Sequence, residues 1–226
     1  MGTLSLTKAG RLFWLGRYTE RVFTSLKESK VIYDATVDGT EADYIDYCAR
    51  LGIPNVYTST ANFCRDYLAD RNNPCSLVSV LGFAYDNAIV LRETIGTETF
   101  SYIQLACNAM DRAIAGNVPE LDLQDVLDYI LAFRGSAEYS LMDETSRTIL
   151  RTGANVEHLS LALRLGHDKE TCRMDCRRLL NRLYKIPLET DTERLNRLID
   201  HSLDNTQQDL ARAAMLDCVE NLFPEV

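Results

Sequence analysis

The sequence predicts an all-α fold, a multi-helix bundle of two pseudo-repeated helical halves, on three observations. Proline and glycine are scarce, five and eleven in 226 residues, and long stretches carry neither, which favours helices over a turn-rich β architecture. Apolar residues recur at helical spacing in one segment after another, and no segment has the alternation of a strand. Finally, LFWLGRYTERVFTSLK near the start returns, worn down, as ILRTGANVEHLSLALR from Ile149 to Arg164. The length suits one domain over 1–226 with a sizeable core, divisible into halves 1–118 and 119–226.

The first helix is expected from about Ser5 to Asp34, opened by a Ser or Thr cap, with Leu12, Leu15, Val22 and Leu26 on one side. Its other side mixes Phe13, Arg17, Glu20, Arg21, Thr24 and Val31, so the helix should be covered on more than one face. After the Asp38-Gly39 break, TEADYIDYCARLG and STANFCRDYLAD form two shorter amphipathic helices. Asn72-Asn73-Pro74 ends the second, and a Ser76-led helix follows with Leu77, Leu81, Ala84, Ala88, Leu91 and Ile95 in one stripe. A second stripe on it holds Ser79, Phe83, Asp86, Val90 and Glu93, and Gly96 should kink it before it continues toward Gly116. Leu121 to Tyr139, Thr145 to Leu165 and Asp168 to Tyr184 supply three more helices. The tail from Thr190 to Leu222 closes the bundle with Leu195, Leu198, Ile199, Leu203, Leu210 and Leu216.

Aligning the repeats on Gly16 and Gly153 keeps the glycine and the acids Glu20 and Glu157. Glycine inside a helix costs about 1 kcal/mol relative to alanine. A glycine kept in both copies therefore implies that another backbone approaches there, with the two helices crossing and both acids directed to one neighbourhood. Arg17 and Glu20 stand at i, i+3, and Arg17 and Arg21 at i, i+4, so two cations and one anion share a helix face. The cations need further acids: Asp86 and Glu93 are the expected suppliers, with Glu98 and Glu157 in reserve. Two readings follow. The charges form a buried ion network that fixes helix register, or Arg17 and Arg21 hold an anionic group, carboxylate or phosphate, through bidentate hydrogen bonds.

A net charge of −9 excludes the phosphate backbone of nucleic acid as a main ligand. The segment RMDCRRLLNR, Arg173 to Arg182, is a local exception that reads as a solvated helix face. Seven scattered cysteines and no signal peptide predict reduced thiols in the cytoplasm, and no apolar run is long enough for a membrane span. Cys172 and Cys176 stand one helical turn apart, but further ligands are not evident nearby, so no metal is expected, and no cofactor. His158, His167 and His201 lack a Glu three residues before them, which removes a carboxylate-bridged dimetal centre. Neither a Gly-x-Ser-x-Gly elbow nor a phosphate-cradling glycine loop occurs. An enzymatic reading would use Glu20, Asp86, Glu93 and Arg17 around a pocket in which a carboxylate moves protons for amide or peptide chemistry. A freestanding homodimer is a third reading and needs an exposed apolar face.

LFWLGRYTERV, then YLADRNNPCSLVSVLGFAYDNAIVLRETIGTE, then LRTGANVEHLSLALRLG together resemble the alpha-E family of bacterial helical proteins across most of the chain. The family's Glu-Arg motif falls on Glu20-Arg21; its middle motif resembles Asn73-Pro74 with Ser76, then Asp86-Asn87-Ala88, Arg92-Glu93 and Glu98. The late motif departs from the pattern, with Gly153-Ala154 and Glu157-His158 in place of Gly-Arg and Glu-Arg. Such proteins are typically encoded beside, or fused to, circularly permuted ATP-grasp ligases, which activate a carboxylate as an acyl phosphate and pass it to an amine. The resemblance thus implies an ATP-grasp ligase as protein partner, and a small peptide as the shared substrate.

Overall fold

The computed structural model describes residues 4–38, 43–116, 119–203, 210–224 and 226. Gly39, the Thr40 to Ala42 start of the second expected helix and 204–209 of the tail lie outside the described residues, as do the side chains of Leu121, His201, Leu203 and Leu210. Among the described residues there are eleven helices and no strand, the multi-helix all-α architecture expected. They are α1 (Leu6–Val37), α2 (Tyr44–Leu51), α3 (Thr60–Ala69), α4 (Leu77–Val90), α5 (Arg92–Ile95), α6 (Thr97–Ala115), α7 (Pro119–Ser140), α8 (Glu144–Leu165), α9 (Lys169–Leu183), α10 (Thr192–Leu203) and α11 (Leu210–Glu220).

Short polar side chains start many of these helices by accepting hydrogen bonds from backbone N–H groups that have no intrahelical partner. Ser5 accepts from Lys8, Ser59 from Asn62, Ser76 from Ser79, Asp143 from Thr145 and Ser146, and Asp168 from Thr171.

Two compact units divide the chain, one of Met1–Arg17 with Asp143–Val226, the other Tyr18–Met142. Their bounds differ from halves at 1–118 and 119–226, because the division falls inside α1.

In the first unit the core collects Leu12, Phe13 and Leu15 of α1, Ile149, Val156 and Leu159 of α8, Cys176 and Leu179 of α9, and Leu198, Val219 and Leu222 of the tail. Phe13 meets Phe223 edge to face, with centroids 4.9 Å apart. Within the tail Ile199 is exposed, while Leu198, Met215, Cys218 and Val219 are buried.

The second unit is organised by the α6–α7 hairpin. Arg112 pairs with Asp125 at 2.8 Å, and the Thr99 and Ser136 hydroxyls lie 2.8 Å apart, so contacts step backward along α7 as they step forward along α6, as antiparallel helices require. The expected stripe of α4 and its continuation, Leu77, Leu81, Ala84, Ala88, Leu91 and Ile95, is buried throughout. Phe63 of α3 centres an aromatic cluster, stacked on Tyr67 at 5.1 Å and meeting Tyr57 edge to face at 5.2 Å. One expectation needs correction: the chain does not continue through a kink at Gly96. It breaks into α4, α5 and α6, with Gly96 at φ 84°, a left-handed conformation that disfavours any residue with a Cβ.

Candidate functional site

The repeated glycines mark a contact of backbone on backbone in the first unit. A Cβ built on Gly16 would stand 2.1 Å from the Leu150 carbonyl oxygen, and one built on Gly153 would stand 2.0 Å from that of Phe13. Each glycine thus abuts the carbonyl three residues before the other, a reciprocal crossing of α1 and α8. The inference from sequence that another backbone approaches at both glycines holds.

Directly after the crossing glycine of α1, Arg17 donates from Nε to Oε2 of Glu157, one turn past Gly153, at 2.8 Å, with only 12 % and 2 % of the two side chains exposed. The guanidinium also lies over the Trp14 ring, 4.7 Å from its centroid. A cation stacked on an aromatic face and bonded to a nearly dry carboxylate is held by charge, hydrogen bonding and packing together. The anion that Arg17 holds is an internal one, supplied by the acid the sequence kept only in reserve.

Glu20 pairs separately, within the second unit. Arg134 of α7 donates from a terminal nitrogen to Glu20 Oε2 at 2.6 Å, and Thr24 donates to Oε1 at 3.0 Å. Arg134 also covers the Phe23 ring at 4.4 Å. Sequence reasoning missed Arg134. The available signal was a lone cation directly after Phe133, beside the buried stripe Val126, Ile130, Phe133 and Ala137. Arg21 is half-buried on α1; burial raises the pKa of the Tyr67 hydroxyl, and the Arg21 charge works against that rise.

The expected role of Asp86 and Glu93 is corrected. Both are exposed, and among the described residues neither side chain makes an ion pair, with Arg17, Arg21 or any other cation. Arg92 and Glu98 are exposed too, Arg92 lying 5.8 Å from the centroid of the Phe100 ring; Asn87 donates to the Phe83 carbonyl at 3.1 Å. The charged residues of the middle motif are therefore exposed, whereas its Ser76 and Ala88 are buried. Phe83, 38 % exposed, and Val90, 60 % exposed, share the outer face of α4 with Asp86 and Ser79. A shallow cleft of 280 Å³ opens beside it, bordered by Arg71, Pro74, Val78, Ser79, Phe83 and Asp86. A larger cleft of 430 Å³ in the same unit is lined largely by apolar groups such as Leu26, Tyr67, Leu77 and Ile114, and by none of the motif acids.

A further charge cluster joins α8 and α9. Asp175 is buried, with Arg178 donating to it at 2.9 Å and His158 Nε2 3.2 Å from its other oxygen. Burial alone would raise this carboxyl, but His158 and Arg178 outweigh it and hold the pKa below the ordinary 3.8. Ser160 and Arg164 both donate to Glu220 of α11. All seven cysteines are free, and burial pushes the thiols of Cys48, Cys107 and Cys176 up to about 11. Among the described residues no group of three or more His, Cys, Asp or Glu could hold a metal ion, and no helix is long and apolar enough to cross a membrane.

Comparison with protein families agrees with this picture. A family model described as a predicted alpha-helical domain with a conserved ER motif, Alpha-E, matches residues 7–175. The chain belongs to the Alpha-E family, and Glu20-Arg21 is the Glu-Arg dipeptide within the matched span. No curated protein and no solved structure matches the chain.

Proposed function

We propose that this Alpha-E domain is a helical partner of a circularly permuted ATP-grasp amide ligase in a bacterial peptide synthesis or modification system, and that it supports or positions the ligase's peptide substrate. One observation carries the reading: the charged residues of the middle motif lie outside the core. Asp86, Arg92, Glu93 and Glu98 are exposed, and Phe83 and Val90 are exposed on the face of α4 that carries Asp86; apolar anchors beside charge suit protein recognition. The Arg17–Glu157 and Glu20–Arg134 pairs, in contrast, are engaged in packing, which favours a structural role for the Glu-Arg motif. The cytoplasm is the setting that suits seven free thiols.

Size-exclusion chromatography with light scattering, on the protein alone and mixed with the ATP-grasp protein encoded nearest to it, tests the reading. A joint peak that Phe83→Ala weakens is the expected result, and ATP-dependent amide formation is then assayed on the complex. Two separate peaks would defeat the partnership, and elution of the protein alone at twice its chain mass would point to a homodimer instead.

A further inference from the structure

The arginine-rich stretch of α9, which by sequence looked like a solvated helix face, forms one wall of a cleft whose other wall is α8. The cleft has a volume of 320 Å³ and is lined by Arg147, Thr148 and Arg151 with Glu144 from α8, and by Arg178, Asn181, Arg182 and Lys185 from α9 and the turn after it. Five cations and one carboxylate thus face a single hollow, in a chain whose net charge is −9. A hollow so rich in cations carries a positive local field that attracts anions.

Spacing sharpens the chemistry. Arg147 and Arg151 stand at i, i+4 on α8, and Arg178 and Arg182 stand at i, i+4 on α9, so each wall presents two guanidinium groups one helical turn apart. Arg178 is anchored from within, because one of its nitrogens donates to the buried Asp175. That bond fixes the guanidinium in place and reduces the rotamer entropy lost on binding a ligand. Lys185 adds a further point charge, and the exposed Asn181 amide adds a neutral donor. No aromatic residue lines the cleft, so no base or ring would stack there. Guanidinium pairs match tetrahedral phosphoryl oxygens bidentately, and two such pairs across a hollow match successive phosphoryl groups better than a single carboxylate.

We propose that the α8–α9 cleft is a binding site for a small polyanion bearing adjacent phosphoryl groups, recognised through its phosphate chain. Whether the chain is free or belongs to a nucleotide is separated by experiment. Titration calorimetry of the full-length protein with inorganic triphosphate, ATP and citrate reads the site directly, without any ligase, so its failure and the failure of the proposed partnership are distinguishable.

Triphosphate should bind, citrate at least about tenfold more weakly, since loss of paired charge-assisted hydrogen bonds is worth about a factor of ten or more. ATP binding as tightly as triphosphate would show that the nucleoside is ignored; ATP binding much more weakly would identify the free chain as the ligand, and both results support the proposal. The variants Lys185→Glu and Arg151→Glu should each lower affinity at least about tenfold, Lys185→Glu while leaving the melting temperature unchanged, and Arg50→Glu on α2 should leave the affinity unchanged. Citrate equal to triphosphate, triphosphate binding indifferent to both reversals, or no binding at all would overturn the assignment.

Discussion

Removing Glu157 would leave the Arg17 guanidinium, 12 % exposed, without the carboxylate 2.8 Å from its Nε. Stranding one member of a buried pair costs about 3 kcal/mol, because the remaining charge stays desolvated. Glu20→Ala strands a partner that water reaches more easily, Arg134 being 32 % exposed, so its cost should be nearer ~1–2 kcal/mol. Thermal denaturation of both variants checks the order; equal melting temperatures would contradict it. Replacing both Arg17 and Glu157 with leucine should recover much of the loss, since a dry ion pair and an apolar pair of similar volume are often nearly equivalent. Asp175 makes a prediction in pH. Its folded pKa lies below the unfolded 3.8, so its ionisation stabilises the fold above that value, and the contribution disappears as pH falls through the folded pKa. Acid titration of stability should therefore be shallower below about pH 4 in Asp175→Asn than in the natural protein.

At the scale of elements, the crossing of α1 and α8 is where sequence and structure correspond most closely. Gly16→Ala and Gly153→Ala each drive a methyl group to about 2 Å from a carbonyl oxygen, and the obstacle is backbone rather than a side chain that can turn away. Each should cost about 3 kcal/mol or more, lowering the melting temperature by roughly 6–12 °C for a chain of this size. Both methyls open the same crossing, so the double variant should lose clearly less than the sum of the single losses; additive losses would mean that the two contacts are independent. These glycines were legible because a glycine inside a helix is locally unfavourable and therefore needs a reason from elsewhere. The stripe from Leu77 to Ile95 was legible for a similar reason, its periodicity being a direct imprint of burial. The break at Gly96 was only half legible: composition marks the position, whereas φ 84° there and the separate α5 leave no trace in the hydrophobic periodicity, which runs on through Leu91 and Ile95. Ion pairing was the least legible. Asp86 and Glu93 had suitable charge and spacing, but charge says nothing of direction, and the partners of Glu20 and Arg17 come from α7 and α8, far away in sequence.

For the whole molecule, the exposed face of α4 fixes what a partner has to offer. Asp86 places a carboxylate on it in a chain already at −9, so an approaching surface gains from long-range attraction when it is basic. Phe83 and Val90 supply the apolar area, and desolvating them holds the complex once it has formed. These contributions act at different stages and separate kinetically. Rim charges act over a screening length of about 8 Å at physiological salt and set mainly the rate of encounter, whereas an anchored ring sets mainly the rate of escape. In surface-binding kinetics against the ATP-grasp ligase proposed as its partner, Asp86→Ala should slow association and flatten its dependence on salt while leaving dissociation nearly unchanged. Phe83→Ala should accelerate dissociation, by about tenfold for the loss of some 1.4 kcal/mol of buried ring, with association and its salt dependence preserved. If both variants altered only dissociation, electrostatic steering by this face would be wrong; if neither altered binding, the ligase would have to engage a different surface from the one that displays the middle motif.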